Sequence, residues 1–368
     1  MVAIGVTGAA GLVGSALLSA LADAPDVTRL VGIDVREPAR RVHGLEFHRA
    51  DVAHSELQPL FEGVDVVVHL ASVVDPIPDE SLMARVNVEG TRRVLIAAAA
   101  VGVHKVVRVS SAAAYGAWAN NPVPLTEDAP LRPNPGFWPA VQAAEVERLL
   151  AEWRDDHPAV IVTTLRTAPV FGPGAERLPS RLVLGHPPLR VSGASPPVQA
   201  THVDDLVDAL ELVVREDHAG TFNVASDGWL DHDTARSLLP RSGVPALPAQ
   251  LLERVLARSW ASGLGDIPPG VVPYLEHPWV VANDRLKALG WQPAHTNEQA
   301  IQAGLAALGP TKPLIPRGAL LAGAALLGTA VLVYLTRRSI RIRRAQPGTQ
   351  REARRPRGVC GAKRPSRG

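Results

Sequence analysis

The chain contains 368 residues, of which 46% are hydrophobic and 20% are charged. This composition excludes a peptide-like or disordered protein, and the length is sufficient for two or three domain-sized units. The single cysteine, Cys360, excludes an internal disulfide framework and a cysteine zinc site, and it fits a reducing compartment.

Charge is distributed unevenly along the chain. Residues 336–368 contain twelve Lys and Arg and one acid, Glu352, so this tail has a net charge of +11 and the preceding residues have −9. Because an acidic body repels phosphates, we expect no specific nucleic-acid partner. The opening MVAIGVTGAAGLVG has neither a basic leader nor a cleavage site, so we expect no secretory signal.

Short Val- and Ile-rich runs alternate with helical patterns through the first half of the chain. This alternation predicts an α/β fold in which helices cover both faces of a doubly wound, Rossmann-type parallel sheet. The predicted strands are 2–7, 29–34, 46–49, 65–70, 105–110 and 160–166. The predicted helices are 12–22, 81–101 and 141–155, followed in the more irregular second half by 203–215, 250–259, 283–289 and 297–308.

Three glycines at a spacing of three residues, Gly8, Gly11 and Gly14, follow the first predicted strand and open the first predicted helix. There they permit a tight turn and a close approach of the backbone to a pyrophosphate at the helix N-terminus. Asp34 ends the second predicted strand, where a carboxylate accepts hydrogen bonds from the adenosine ribose and repels a 2′-phosphate. The pattern therefore predicts NAD as the cofactor, with NADP disfavoured.

Further motifs follow the glycine turn in a fixed order. They are HLAS at 69–72, NVEGT at 87–91, SSAAAYG at 110–116, LRTAPVFGPG at 165–174, THVDDLVDAL, TFNVAS and the late LGWQP at 289–293. Together with TGAAGLVG they resemble the extended short-chain dehydrogenase/reductase family, also called the NAD-dependent epimerase/dehydratase family, over about residues 1–308. The resemblance implies further cofactor contacts at Asp51, Val52, Leu70, Ala71, Asn87 and Ser110.

The resemblance also implies a catalytic set: a Tyr acid/base, a Lys four residues later that lowers its pKa and holds the ribose, and a Ser or Thr that bonds the reacting oxygen. Ser111 matches the serine position, and its alternative is a strand-end serine bonded to backbone. In the family the Lys lies four residues before a Glu of the fifth helix, which Glu147 matches here. Counting back from Glu147 places Ala143 at the Lys position and Pro139 at the Tyr position, so the Tyr-x-x-x-Lys pair is absent. The general acid/base is unassigned.

Other residues were considered as a substitute base. Tyr274 lies in the second half, where a packed aromatic is the favoured interpretation. His186 and His202 titrate in a convenient range, but surface or structural roles are favoured for both. Tyr115 matches a family position that supports the substrate pocket.

Two functional hypotheses follow. The first is an atypical NAD-dependent oxidoreductase, epimerase or dehydratase. The resemblance implies that such an enzyme acts on a hydroxyl or ketone of a small-molecule substrate, either a nucleotide sugar or a sterol-like alcohol. The second is a catalytically inactive NAD-binding sensor or membrane scaffold. The cofactor motif favours the first, whereas the loss of acid/base catalysis worth about 10²–10⁴-fold favours the second. The family also implies a homodimer formed through the helices predicted at 81–101 and 141–155.

Residues 318–335, GALLAGAALLGTAVLVYL, carry no charge and reach the lower length limit of a bilayer-spanning helix. We expect a transmembrane or membrane-inserted helix there, with the disordered polybasic tail 336–368 binding anionic lipids at the cytoplasmic face of the cell membrane. The alternatives are a buried helix and a tail that binds other polyanions. The predicted domains are thus a Rossmann domain at 1–166, a substrate lobe at 167–308, a linker at 309–317, the membrane segment and the tail.

Overall fold

The computed structural model describes residues 1–174, 178–184, 189–239 and 245–307. Contacts divide the chain into two units, Met1–Pro316 and Arg317–Gly368, and every described residue lies in the first. The predicted linker, membrane segment and tail, as well as His186, lie outside the described residues. None of the helices in the described ranges combines the length and the apolar character needed to span a bilayer.

A parallel sheet forms the centre of the described chain. Its strands are β1 (Val2–Thr7), β2 (Val27–Asp34), β3 (Leu45–Arg49), β4 (Val66–His69), β5 (Lys105–Ser111) and β6 (Ile161–Thr167), and it is completed by β9 (Gly220–Val224) after a separate pair, β7 (Val170–Phe171) and β8 (Thr201–His202). The seven described strands of the sheet run in the order β3-β2-β1-β4-β5-β6-β9. Because the chain reverses its direction across the sheet at β1, a crevice lies between β1 and β4 at their carboxyl ends.

Helices cover both faces of this sheet, and turns and loops connect the elements of the described chain. The described helices are α1 (Leu12–Leu21), α2 (Gln58–Phe61), α3 (Glu80–Ala84), α4 (Gly90–Val101), α5 (Trp138–Asp156), α6 (Leu178–Leu184), α7 (Val203–Arg215), α8 (His232–Leu238), α9 (Ala249–Ala261), α10 (Val272–Glu276), α11 (Asp284–Lys287) and α12 (Asn297–Ala307). A π-helical turn occupies Arg85–Glu89, and 3₁₀ turns occupy Ala112–Tyr115 and Pro269–Val271. The predicted fold class, a Rossmann-type α/β sheet, is confirmed.

Two predicted helices differ from the observed ones for local reasons. The helix predicted at 81–101 is interrupted by the π-helical turn Arg85–Glu89, whose extra residue per turn shifts the side chains that follow. The helix predicted to begin at 141 begins at Trp138 instead. Pro139 is compatible with this earlier start, because the first helical turn needs no backbone N–H from that position.

The predicted boundary at residue 166 divides elements that pack together. β9 pairs in parallel with β6, which makes residues beyond 166 part of the central sheet. α7 packs against α1, and the apolar side chains of both helices join one core cluster that includes Leu18 and Leu210. Residues up to Val224 therefore contribute to the Rossmann layer, because β9 extends the sheet beyond β6 and α7 packs on α1.

Candidate active site

A cavity of about 470 Å³ opens at the carboxyl edge of the sheet, a size typical of small-molecule sites. It is lined by every residue predicted from the sequence to contact the cofactor or the reacting oxygen: Gly8, Gly11, Gly14, Asp34, Asp51, Val52, Leu70, Ala71, Asn87, Ser110 and Ser111. These residues follow or end β1 to β5, so the parallel topology brings them together from distant parts of the chain.

The glycine turn leaves no room for side chains on its inner side. Gly8 adopts a φ of +74°, and a Cβ on it would lie 2.7 Å from the backbone N of Ala71. A Cβ on Gly14 would overlap the carbonyl oxygen of Gly8. Gly11 is the N-cap of α1 and carries no capping side chain, so the amides of the first turn are available to an anion. The turn is thus a cradle that fits a pyrophosphate.

Asp34 is held at the end of β2 beside this turn. Its Oδ2 accepts a hydrogen bond from the backbone N of Ala10 at 3.0 Å, and its Oδ1 accepts one from the backbone N of Arg36 at 2.9 Å. The Arg36 guanidinium is exposed and lies 4.0 Å from the same carboxylate. The carboxylate is therefore fixed in the cavity wall, where it can accept further hydrogen bonds, and the Arg36 cation lies beside it.

His69 supports the wall from beneath as a neutral imidazole. Thr91 donates its hydroxyl proton to the carbonyl of Asn87, so it accepts from Nε2 of His69 at 2.9 Å. Nδ1 of His69 then accepts from the Thr7 hydroxyl at 2.7 Å, and the Thr7 oxygen in turn accepts from the backbone N of Ala71. Burial and the nearby Arg108 hold the pKa of His69 well below its usual value, in agreement with this tautomer.

Asn87 lies in the π-helical turn, a feature that often marks functional sites. Its Oδ1 accepts from the backbone N of Val73 at 2.7 Å, and its Nδ2 donates to the Val73 carbonyl at 3.0 Å and to Oε1 of Gln142 at 2.9 Å. Asn87 was predicted as a cofactor contact. In the structure its amide ties the loop after β4 to α5, so it fixes the shape of the cavity wall.

Ser110 and Ser111 end β5 in different environments. The Ser110 hydroxyl donates to Oε1 of Glu147 on α5 at 2.6 Å. Ser111 caps the following 3₁₀ turn, because its Oγ accepts from the backbone N of Ala113 at 3.2 Å. The Ser111 hydroxyl proton stays available, so this side chain can still donate to a substrate oxygen.

The part of α5 that faces the cavity carries no ionisable group among the described residues. Its contribution to the lining consists of Phe137, which precedes the helix, and of Pro139, Ala140, Gln142, Ala143 and Val146. The positions predicted to have lost Tyr and Lys, Pro139 and Ala143, thus lie in the wall beside Ser110 and Ser111. Of the substitute bases proposed from the sequence, Tyr274 and His202 lie elsewhere in the described chain.

Tyr274 is a packed aromatic, as favoured from the sequence. Its hydroxyl donates to the carbonyl of Ala113 at 2.8 Å, and burial raises its pKa above the usual value. His202 is buried at the N-terminus of α7, accepts from the backbone N of Asp204 and stacks on His295 at 3.8 Å. Neither side chain lines the cavity.

One charged wall residue was missed by the sequence analysis. Arg108 lies in β5, in the apolar run VVRV, and lines the cavity two residues before Ser110. A charge within a buried strand was the signal available in the sequence.

A second cavity of about 130 Å³ adjoins the first at Ala168 and Pro169. Its walls are mainly apolar, and three basic side chains, Arg190, His232 and Arg236, contribute to the described lining. A substrate that reacts near Ser111 has room to extend into this cavity.

Comparison with known proteins identifies the family. The chain belongs to the NAD dependent epimerase/dehydratase family, whose profile matches residues 4–225. A 3-diazoavenalumate denitrifying reductase from Streptomyces is 33% identical over 323 residues, covering 79% of this chain and 95% of the relative. A dTDP-glucose 4,6-dehydratase from Streptomyces griseus is 30% identical over 258 residues, covering 64% and 76%.

Solved structures share the fold. MoeE5 in complex with UDP-glucuronic acid and NAD superimposes with a TM-score of 0.64 at 23% identity, covering 83% of this chain and 98% of that one. UDP-glucose 4-epimerase from Thermus thermophilus, in complex with NAD, gives 0.63 at 20% identity, with 83% and 98% covered. The predicted family and NAD-dependent enzyme class are confirmed.

Proposed function

We propose that this protein is an NAD-dependent oxidoreductase that transfers hydride between the nicotinamide and a carbinol or carbonyl carbon held beside Ser111. One observation carries the proposal: a single cavity joins the glycine turn, the Asp34 carboxylate and the hydroxyl of Ser111. The strand order supports one direction for the cofactor. Asp34 would hold the adenosine ribose, the turn at Gly11 would hold the pyrophosphate, and the end of β5 would face the nicotinamide half.

The bound cofactor would supply the hydride acceptor or donor, and the protein supplies orientation. Ser111 donates a hydrogen bond to the reacting oxygen of the substrate. Because α5 presents no ionisable group to the cavity, the proton follows a non-standard route through solvent, the substrate itself or a residue outside the described ranges. This arrangement predicts slow turnover with simple alcohols.

Nucleotide sugars are the first substrate class to test. Support comes from the names of the relatives, which include a dTDP-glucose 4,6-dehydratase and a UDP-glucose 4-epimerase. Sterol-like alcohols are implied only by the family resemblance and belong in the same screen.

Reduction of a strongly electrophilic acceptor is the second candidate function. The described cavity face of α5 has no ionisable group, and this favours such a reaction because hydride delivery to a strong electrophile needs no acid/base from the protein. The 33% identity to a denitrifying reductase also supports it.

Calorimetric titration of the full chain with NAD, NADH, NADP and NADPH tests the cofactor assignment. We expect selective binding of NAD and NADH, and Asp34→Ala should weaken NADH by about 10-fold or more while affecting NADPH less, since a charged hydrogen-bond acceptor is lost. Asp26→Ala, at the surface, is the control. Failure to bind any of the four would contradict the proposal, and binding without turnover in the substrate screen would favour the sensor hypothesis.

Membrane attachment through residues 318–368 is a separate proposal that the sequence alone supports. In a flotation assay we expect the full chain to rise with liposomes that contain anionic lipid, and to do so less at high salt. A variant lacking residues 313–368 should stay in the bottom fraction. A full chain that does not float would contradict it.

A homodimer formed through α4 and α5 is likewise proposed by family analogy. Light scattering of the full chain measures the mass directly, and a monomer at micromolar concentration would contradict this proposal.

A further inference from the structure

We propose that Arg108 holds the nicotinamide half of the dinucleotide by donating hydrogen bonds to its ribose hydroxyls. This inference rests on the proposed function, because it requires the cofactor to lie in the cavity described above. It assigns a cofactor-binding role to a strand residue on the floor of the site, at the end where α5 contributes no charge.

The position of Arg108 follows from the register of the sheet. It lies opposite His69 on β4 and opposite Thr164 on β6. Because side chains two residues apart in a strand point to the same face, Arg108 shares its face with Ser110, which contacts Glu147 of α5. The guanidinium therefore lies under the reacting end of the cavity, between the sheet and α5.

The hydrogen bonds of Arg108 are incomplete. Nη1 donates to the carbonyl of His69 at 2.9 Å, whereas Nε is buried without a partner among the described residues. The residue is only 6% exposed, and Glu147, the carboxylate that acts on its charge, forms its described ion pair with Arg166. Burial lowers the pKa of Arg108 to about 10, with Glu147 opposing the shift, so the side chain remains a cation at neutral pH.

A buried cation without an ion-pair partner opposes folding, and such groups are concentrated at functional sites. The guanidinium has five N–H donors in a planar fork and accepts nothing, so the missing partner must be an oxygen-rich acceptor. The cavity is where a ligand can bring one.

The distribution of charge along the cavity indicates which part of the cofactor would lie next to Arg108. Asp34, Arg36 and Asp51 lie at the ends of β2 and β3, whereas Arg108 is the charged lining residue at the β4 and β5 end of the described cavity. With the adenosine at β2 and the pyrophosphate over the turn after β1, the group above β5 is the nicotinamide ribose with its vicinal hydroxyls. Arg108 would thereby perform the holding role for which the resemblance implies a Lys at the Ala143 position.

Binding of cofactor fragments to the full-length Arg108→Met variant tests this assignment. We expect NADH and ADP-ribose to bind about 10- to 100-fold more weakly than to the unsubstituted protein, because hydrogen bonds from a charged donor are lost. ADP, which lacks the second ribose, should bind within twofold of its original affinity. Arg108→Lys keeps the charge but loses the planar fork of donors. Its affinity for NADH should lie between those of the unsubstituted protein and Arg108→Met. Arg92→Met, on the exposed face of α4, is the matched control.

Three results would overturn the assignment: unchanged NADH affinity, an equal loss for ADP and ADP-ribose, or a loss shared by Arg92→Met. Circular dichroism establishes that each variant is folded, and if Arg108→Met is not, the comparison is made with Arg108→Lys and Arg108→Gln. An unsubstituted protein that binds no nicotinamide cofactor would refute the proposed function itself, whereas normal binding by both proteins would refute only this inference.

Discussion

The Ser110 hydroxyl donates to Glu147 at 2.6 Å, and the same carboxylate forms an ion pair with Arg166 at 2.6 Å. Arg166 also donates to the hydroxyl of Tyr115 at 2.7 Å, which in turn donates to Asn223 at 2.9 Å. A buried polar chain thus connects β5, α5, β6 and β9 beneath the reacting end of the cavity.

Glu147→Gln is expected to destabilise the protein by about 3 kcal/mol, because removal of one partner leaves the Arg166 cation buried and uncompensated. The free energy of unfolding from urea titration measures the effect. The matched control is Glu46→Gln, which removes the partner of Arg29 in an exposed ion pair and should cost far less than Glu147→Gln. Similar losses in both variants would contradict a special role of the buried pair.

Gly11→Ala and Gly14→Ala should separate binding from folding. A Cβ on Gly14 overlaps the Gly8 carbonyl, so Gly14→Ala should lower the melting temperature and abolish NADH binding together. A Cβ on Gly11 meets only the Gly8 oxygen, at 3.1 Å, so Gly11→Ala should fold normally and weaken NADH by about 10-fold through obstruction of the pyrophosphate. Unchanged affinity in Gly11→Ala would show that the phosphate lies elsewhere.

Stability should fall as the pH decreases from 7.5 to 5.5. Burial lowers the pKa of His69 and, with His295, that of His202 from the ordinary 6.5, so below 6.5 the unfolded chain binds more protons than the native one. A histidine that stays neutral in the native state contributes a loss of about 1.4 kcal/mol at pH 5.5. Urea titrations across this range measure the slope.

His202→Asn, which retains an N-cap acceptor for α7, should reduce this pH dependence. The exposed His43→Gln is the control and should leave it unchanged. A slope of the opposite sign would contradict the buried neutral histidines.

Two tyrosine variants separate packing from charge. Tyr274→Phe should cost about 1 kcal/mol, because the carbonyl of Ala113 loses its donor, and should leave NADH affinity unchanged. Tyr115→Phe should cost about 2 kcal/mol or more, because its hydroxyl is bonded to the Arg166 cation. Urea titration and calorimetry measure both quantities. Loss of NADH binding in Tyr274→Phe would contradict a purely structural role and would indicate that Tyr274 takes part in the active site.

The sequence predicted the elements whose signals are local. β1 and α7 have the predicted bounds, Val2–Thr7 and Val203–Arg215. Each has a clear local pattern: β1 is an apolar run followed by a glycine turn, and α7 is a strongly amphipathic helix. All predicted cofactor residues line one cavity, since parallel strands deliver their carboxyl ends to one edge. Their individual roles stay predictions, as does the loss of the Tyr-x-x-x-Lys pair.

The features missed depend on pairing between distant segments. The TFNVAS motif does not predict a strand by itself, because its inclusion in the sheet depends on β6 lying beside it. Arg108 was overlooked, because its significance arises from the missing partner of Nε and from the neighbouring cavity. The hydrogen bonds from the Asn87 side chain to Val73 and Gln142 depend on the π-helical turn that positions this residue. No periodic pattern in the sequence indicates such a turn.

The late arrival of β9 has a consequence for how the chain folds during synthesis. A fragment ending at residue 166 would present β6 as an edge strand and would lack α7, which packs on α1. Open edges of this kind recruit other chains and aggregate. During synthesis, the described seven-stranded sheet can therefore be complete only after residue 224 has left the ribosome.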